Sequence, residues 1–289
     1  MREPVRERAA LGRLGIWMAP PARMGLDARQ YAAAIEKAGF HSLWIPGLKA
    51  GDEPEAVAEL LSATERLIVG TGVLSIWHWS PAGLAAATDR LTAAYPGRFI
   101  PGLGVSHASM VEAAGQAYAR PLAKMRQFLD DLPAVRAPLV LAALGPRMLE
   151  LARDRTAGAH PYFSPPEHTA FARSVLGPVP LLIPEQAVSL APGSAGLTSG
   201  RAYAALYLTL PNYTNNLRRF GFGDEDLTGG GSDRLISAII PAGRDAIAAR
   251  IREHLDAGAD HVVIQPVAES GGFAHDDLDA LAETVADLM

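Results

Sequence analysis

Short apolar runs alternate along the chain with longer segments whose apolar positions recur every three or four residues, the pattern of βα units around a parallel sheet. The runs predict eight strands: Leu14 to Met18, Ser42 to Ile45, Leu67 to Leu74, Phe99 to Leu103, Leu139 to Ala142, Ala159 to Tyr162, Leu181 to Ile183 and His261 to Gln265. Helical spacing predicts Asp27 to Lys37, Glu55 to Thr64, Ala82 to Ala94, Pro121 to Leu132, Pro146 to Thr156, Pro166 to Leu176, Arg244 to Ala257 and Asp277 to Leu288. Asp27 reads as an N-cap, and Pro166 followed by Glu167 as a first helical turn. Gly39, Gly158 and Gly258 each end a helix before an apolar strand, where glycine supplies the left-handed backbone that stops a helix. Such a series predicts a closed (β/α)8 TIM barrel with all strand C-termini on one face; a doubly wound open sheet is the competing architecture. Residues 186–241 break the rhythm with APGSAGLTSG and GGGS, and read as an insertion near the active-site face, with helices over Arg201 to Leu210 and Tyr213 to Phe220. The chain of 1–289 is thus one domain, with residues 1–10 a flexible N-terminal tail.

With 49% hydrophobic and 20% charged residues, the chain can build a large core. A net charge of −5 and the lack of any basic run interleaved with aromatics argue against nucleic acid as a partner. The absence of cysteine excludes disulfides, thiol nucleophiles and cysteine-ligated metals. The charged N-terminus lacks the apolar core of a secretory signal, and the longest uncharged stretch, Leu67 to Thr88, carries glycines and Pro81 unsuited to a membrane span. These features predict a cytoplasmic protein that does not enter a membrane.

Gly70-Thr71-Gly72 and Gly102-Leu103-Gly104 lie at strand ends, but neither completes a dinucleotide-binding fingerprint. Glycine at such a place lets backbone approach a planar ring or a phosphate, or serves packing alone. Gly145-Pro146-Arg147-Met148 follows a strand and opens a helix, where free N–H groups and the helix dipole favour an anion. Of eight histidines, His41, His160 and His261 fall at the face opposite the active end, and His168 and His254 read as surface residues. His107, after the fourth strand, and His78, after the third, stand where barrel enzymes place reactive groups. Trp44, Trp77, Trp79 and Tyr162 stand at or just beyond strand ends and are expected to line the barrel mouth as a substrate pocket. No metal-ligand spacing occurs, so no metal site is expected.

AAAIEKAGFHSLWIPG, RLIVGTGVLSIWHWSPAGLAAATDRLTAAYPGRFIPGLGVS, YARPLAKMRQFLDDL, LVLAALGPRMLELARDRTAGAHPYF and AGADHVVIQPV, in this order, resemble the bacterial-luciferase-like superfamily, most of all its coenzyme F420-dependent oxidoreductases. The resemblance implies a TIM barrel with an insertion after the seventh strand and a deazaflavin ring at the strand C-termini. It implies a nonprolyl cis peptide at Gly72-Val73 beneath the ring and contacts from Ser75. It also implies that Val105, Ser106, Gly145, Pro146, Met148 and Leu149 meet the phosphate-bearing tail. Implied as well are hydride transfer between the deazaflavin and a small or medium organic substrate, and a homodimer.

The chain departs from the sugar-phosphate dehydrogenases of that superfamily at two places. Pro46-Gly47 stands where they carry an Asp-His pair, and His107 where they carry an acid, which makes His107 the first acid/base candidate and His78 the second. Two other readings are kept: an FMN-dependent monooxygenase of the same superfamily, and a non-catalytic member that binds a flavin or nothing.

Overall fold

The computed structural model describes residues 11–18, 27–47, 53–268 and 275–289. The expected tail, residues 1–10, lies outside them. The strands are β1 (Leu14–Trp17), β2 (Ser42–Ile45), β3 (Ile68–Thr71), β4 (Leu74–Ser75), β5 (Phe99–Ile100), β6 (Gly102–Gly104), β7 (Val140–Leu141), β8 (Gly158–Ala159), β9 (Leu181–Leu182), β10 (Glu185–Val188) and β11 (Val262–Pro266). All pair in parallel, in two sheets ordered β10-β11-β1-β2-β3-β5 and β4-β6-β7-β8-β9.

Three predicted strands are each split in two. β3 and β4 flank a cis peptide at Gly72-Val73, the position the resemblance implied. β5 and β6 flank Pro101, and β9 and β10 flank Ile183 and Pro184, whose prolines lack the N–H a ladder needs. The first half of the seventh strand pairs with β8 and the second half with β11, through Ile183 N–H to Ala159 O (2.9 Å), Glu185 N–H to Pro161 O (2.9 Å) and Val263 N–H to Pro184 O (3.0 Å). Counting each split strand as one, the pairing runs once round a ring of eight. This is the TIM barrel expected from the alternation, and the open sheet is set aside.

Helices Ala28–Lys37, Glu53–Ser62, Pro81–Ala94, Pro121–Asp131, Pro146–Arg155, Pro166–Leu176, Arg244–Asp256 and His275–Val285 match the eight predicted ones to within about three residues. Asp27 caps the first by accepting from the N–H groups of Arg29 and Gln30, both at 2.9 Å. Apolar faces of the outer helices pack on the strands in two clusters, while Leu11, Trp17, Trp44, Ile68, Ile100, Val140, Leu181, Ile183 and Val263 fill the barrel interior. A short helix, Ala108–Ala113, was not foreseen.

The insertion differs from expectation at both of its first elements. Gln186 belongs to β10, so the barrel continues past the predicted start. The glycine- and serine-rich stretch is helix, Gly193–Tyr207, followed by Pro211–Arg219, Asp224–Leu227 and Asp233–Ile239. Packing overrides propensity there: a Cβ at Gly196 would collide with the Ala191 carbonyl and Ala242, and one at Gly200 would approach Ile236 Cγ2 to 2.6 Å. The small residues let this helix lie close against Asp233–Ile239.

His168 and His254 are not surface residues; both are fully buried. His254 Nε2–H donates to Gln186 Oε1 (2.8 Å), its Nδ1 accepts from Thr169 Oγ1 (2.7 Å), and Gln186 Nε2 donates to Ile239 O (2.8 Å). Two barrel helices, β10 and the insertion are thereby joined by one chain of bonds. His261 donates from Nδ1 to Gly12 O (3.1 Å) and accepts at Nε2 from Ser42 (2.7 Å), a structural role at the base of the barrel.

Burial pushes four histidines down, His160 and His168 to about 4 and His254 and His261 to about 3. In the unfolded chain the same side chains titrate near about 6.5, so the unfolded state binds more protons between these values and stability falls as the pH drops through that window. Calorimetric unfolding in buffers of different ionisation heat at pH 5 is expected to show an uptake of about four protons from these groups, with Tm falling steadily below about pH 6.5.

Candidate active site

A cavity of about 400 Å³ opens at the C-terminal ends of the strands. Its size suits a small-molecule or cofactor site. Val73 and Gly104 come from the third and fourth strands, Ala142 and Ala143 follow β7, and His160 and Tyr162 follow β8. Ser106 and His107 stand on the loop after β6, and Asn212, Tyr213 and Arg219 reach in from the insertion helix Pro211–Arg219.

The glycine pairs make this space in a way the sequence left open. A Cβ at Gly70 would collide with the Trp44 indole, and one at Gly72 would lie 2.6 Å from Trp17 Nε1 and 2.8 Å from His160 Nε2. The planar rings that those two glycines admit are therefore the chain's own. Gly104 faces the Val73 side chain and Ala142 on the cavity side.

One end of the cavity is cationic. Gly145 is the N-cap of Pro146–Arg155 and offers no side chain, Pro146 has no N–H, and Met148 and Leu149 both donate to Gly145 O. The N–H groups of Gly145 and Arg147 keep no partner among the described residues. The Arg219 guanidinium lies 3.4 Å from where a Gly145 Cβ would be, and neither Arg219 nor Arg147 makes an ion pair among the described residues. A helix N-terminus with two unpaired arginines favours an anionic group. Arg147 belongs to the helix-opening turn singled out from the sequence, whereas Arg219 was not foreseen; the insertion brings it back to the barrel from far along the chain.

Elsewhere the cavity carries hydrogen-bonding groups held neutral. His107 is half-buried, 5.6 Å from Tyr213 between ring centroids, and burial lowers its pKa while a hydrogen bond with Asn212 partly opposes this. His160 was expected at the far face; it instead follows β8 and faces the cavity. Its helix-ending glycine joint is the strand itself, one residue earlier than the sequence indicated. His160 Nδ1–H donates to Ile183 O (2.7 Å), so Nε2 is a bare acceptor; it is buried and has no partner. Ser106, at φ 56°, and Phe163, at φ 53°, hold left-handed backbone beside the cavity, a conformation that tends to collect at functional sites.

Of the residues proposed from sequence, Val73, Val105, Ser106, His107, Gly145, Pro146, Met148 and Tyr162 line the cavity together. Gly72 and Ser75 lie behind its wall, Ser75 Oγ accepting from Trp77 N–H, and Leu149 is wholly buried beneath the helix start. His78 is exposed in a turn and does not line the cavity, so the structure does not bring it to His107. Trp44 is not at the mouth but deep in the barrel, stacked on His160 at 4.5 Å and donating to Ser42 Oγ. Trp77 and Trp79 pack under the rim; Trp77 Nε1–H donates to Val105 O at 2.8 Å and so braces the cavity loop from outside. Tyr118, Asn212 and Tyr213 are further lining residues that the sequence did not single out.

The fold is a TIM barrel with an insertion over the cavity at its strand C-termini. Residues 17–135 match the family of luciferase-like monooxygenases, and the resemblance read from the sequence is borne out. A Mycobacterium tuberculosis protein assigned as a coenzyme F420-dependent oxidoreductase is 34% identical over 43% of this chain and 35% of its own length. The 5,10-methylenetetrahydromethanopterin reductase of Archaeoglobus fulgidus is 25% identical over 44% of this chain and 46% of its own length. These matches span less than half the length of either relative. In fold, the chain is similar to the F420-dependent tetrahydromethanopterin reductase of Methanopyrus kandleri, with a TM-score of 0.75 at 18% identity, covering 96% of this chain and 99% of that one. It is also similar to the FMN-bound oxygenating constituent of 3,6-diketocamphane monooxygenase of Pseudomonas putida, with a TM-score of 0.68 at 13% identity, covering 96% and 98%. These relatives and neighbours are enzymes. Among the described residues no helix is long and apolar enough to cross a membrane, and no group of side chains could hold a metal ion.

The cationic end gives a direct test. A carboxylate at position 145 would sit against the Arg219 guanidinium and compete with any bound anion, so Gly145→Asp and Arg219→Ala are each expected to weaken binding of a phosphate-bearing ligand by about tenfold or more. Equilibrium dialysis at two salt concentrations checks this, with the wild-type affinity falling more steeply with salt than that of Arg219→Ala.

Proposed function

We propose that this protein is a coenzyme F420-dependent oxidoreductase that transfers a hydride between the deazaflavin and a small or medium organic substrate. The observation that carries the reading is one cavity with two chemically different ends. Gly145, Arg147 and Arg219 offer an anion site at one end, and His107 and Tyr162 offer neutral proton-handling groups elsewhere on its wall. F420-dependent enzymes among both the sequence relatives and the structural neighbours support the choice of cofactor. The reading includes a homodimer, as the resemblance implies, and a cytoplasmic location.

The cavity fits such a group. Val73, Ala142 and Ala143 give an apolar wall for a planar ring, and the unpartnered His160 Nε2 can accept from a ring N–H. Val105, Ser106, Gly145, Pro146 and Met148 would hold the tail, with Gly72, Ser75 and Leu149 supporting this wall from behind. When bound, the deazaflavin gives or takes a hydride; orientation, exclusion of water and the accompanying proton fall to the protein. His107, whose pKa burial lowers, faces the cavity as the acid/base candidate, with Asn212 fixing its ring. Half-buried aromatics at the mouth favour an apolar substrate.

An FMN-dependent monooxygenase is the second reading, favoured by the FMN-bound structural neighbour. Titration of the protein with oxidised F420 and separately with FMN, followed by cofactor fluorescence, decides between them. Saturable F420 binding that Gly145→Asp abolishes is the expected result; preference for FMN supports the second reading, and binding of neither supports a non-catalytic member. With an active substrate, His107→Ala is expected to lower kcat by about a hundredfold with a smaller change in KM.

A further inference from the structure

Beneath Tyr162 lies a buried polar cluster in a wall that is otherwise aromatic and aliphatic. Glu185, on β10, is 1% exposed. Its Oε2 accepts from Phe163 N–H at 3.0 Å and its Oε1 meets the Tyr203 hydroxyl at 3.4 Å. Tyr203 O–H donates to the Tyr162 hydroxyl at 2.7 Å, and Tyr162 O–H donates to Gln265 Oε1 at 2.7 Å. Tyr207 closes the group at 2.9 Å from the Tyr162 hydroxyl. Tyr162 lines the cavity, so a chain of hydroxyls leads from a buried carboxyl to a residue of the site.

A carboxylate placed there would be anomalous. No Arg, Lys or His hydrogen-bonds or ion-pairs with Glu185 among the described residues; the titratable groups around it are Tyr203 and Tyr207 from the insertion helix, Tyr162, and Tyr213. Nearby His254, bonded to the neighbouring Gln186, is held neutral by burial. An uncompensated buried charge is costly, and a structural acceptor for Phe163 N–H needs no acid, since glutamine would serve.

We propose that Glu185, acting through Tyr203, is the proton store of the cavity, and that Tyr162 is the residue that passes this proton to a substrate oxygen. The inference rests on the oxidoreductase reading above and adds a buried proton route to it. In the reducing direction, substrate carbon would take up the hydride that a bound deazaflavin supplies, and the substrate oxygen needs a proton. The Tyr162 O–H bond breaks as the substrate O–H bond forms; Tyr203 reprotonates Tyr162, and the Glu185 carboxyl reprotonates Tyr203. Glu185 is left as a carboxylate that recovers its proton from solvent, and oxidation of an alcohol runs the same steps backward. Tyr162 is the catalytic residue of this route, and Tyr203 and Glu185 act through it.

Two measurements test the proposal. The first needs neither cofactor nor substrate: infrared difference spectroscopy against pH should show a protonated carboxyl that titrates near pH 8, where burial places Glu185, lost in Glu185→Gln and retained in His107→Ala. The second is the pH profile of kcat with loaded enzyme. In the reducing direction wild-type activity should fall as the pH rises through about 8, and in the oxidising direction it should rise. Glu185→Gln, which keeps an acceptor for Phe163 N–H, should remove that limb, and Tyr162→Phe and Tyr203→Phe should each lower kcat by about tenfold or more with little change in KM. No carboxyl titrating above pH 6, or a Glu185→Gln profile superimposable on that of active wild type, overturns the proton store and leaves the oxidoreductase reading standing. A wild-type protein that transfers no hydride with F420 or FMN overturns that reading, and the proton route with it.

Discussion

Filling the inside of an eight-stranded barrel with its own aromatic side chains is the constraint on which the rest of this structure depends. Trp44 lies at the centre: its indole occupies the space left by Gly70, donates to Ser42, and stacks on His160. Ser42 in turn bonds His261, which reaches Gly12 at the base of the barrel. This column is closed below and leaves His160 Nε2 unpartnered above, on the cavity wall. The height at which the interior stops being core and becomes site is thus set by how far these rings reach.

Above that level the third, fourth and seventh strands all break. At Gly72-Val73, at Pro101 and at the Ile183-Pro184 step the chain passes from one sheet to the other. Two of these breaks open on the cavity, where Val73 and Gly104 meet. The third carries the chain to Glu185, so the same irregularity that lets the seventh strand change partners also buries an acid behind Tyr162.

The insertion completes the site. Its first helix supplies Tyr203 and Tyr207 to the buried cluster, and its second supplies Asn212, Tyr213 and Arg219 to the cavity. It is held to the barrel by the Thr169–His254–Gln186–Ile239 chain of bonds and by a cluster of apolar residues that includes Phe163, Tyr213, Leu217 and Ile236. Cavity-lining groups therefore come from a segment whose placement depends on packing against barrel residues remote in sequence.

The order of residues alone marked the eight βα units, the helix ends, and a cluster of cavity-lining residues after the fourth and fifth strands. Each of these rests on local signals: apolar period, caps, and glycine or proline at element ends. It also carried enough ordered similarity to locate the Gly72-Val73 peptide and the Gly145 helix start. The histidines were misread because burial is a property of the assembled barrel: His160, His168 and His254 sit among ordinary helix and strand neighbours, and nothing within a few residues tells them from surface positions. Trp44 lies near the end of β2 as expected but points inward, a choice made by Gly70 on the adjacent strand. Arg219 and the Glu185–Tyr203–Tyr162 path were invisible for the same reason. Their members lie between 18 and 74 residues apart along the chain from the groups they meet, and only tertiary packing brings them within bonding distance.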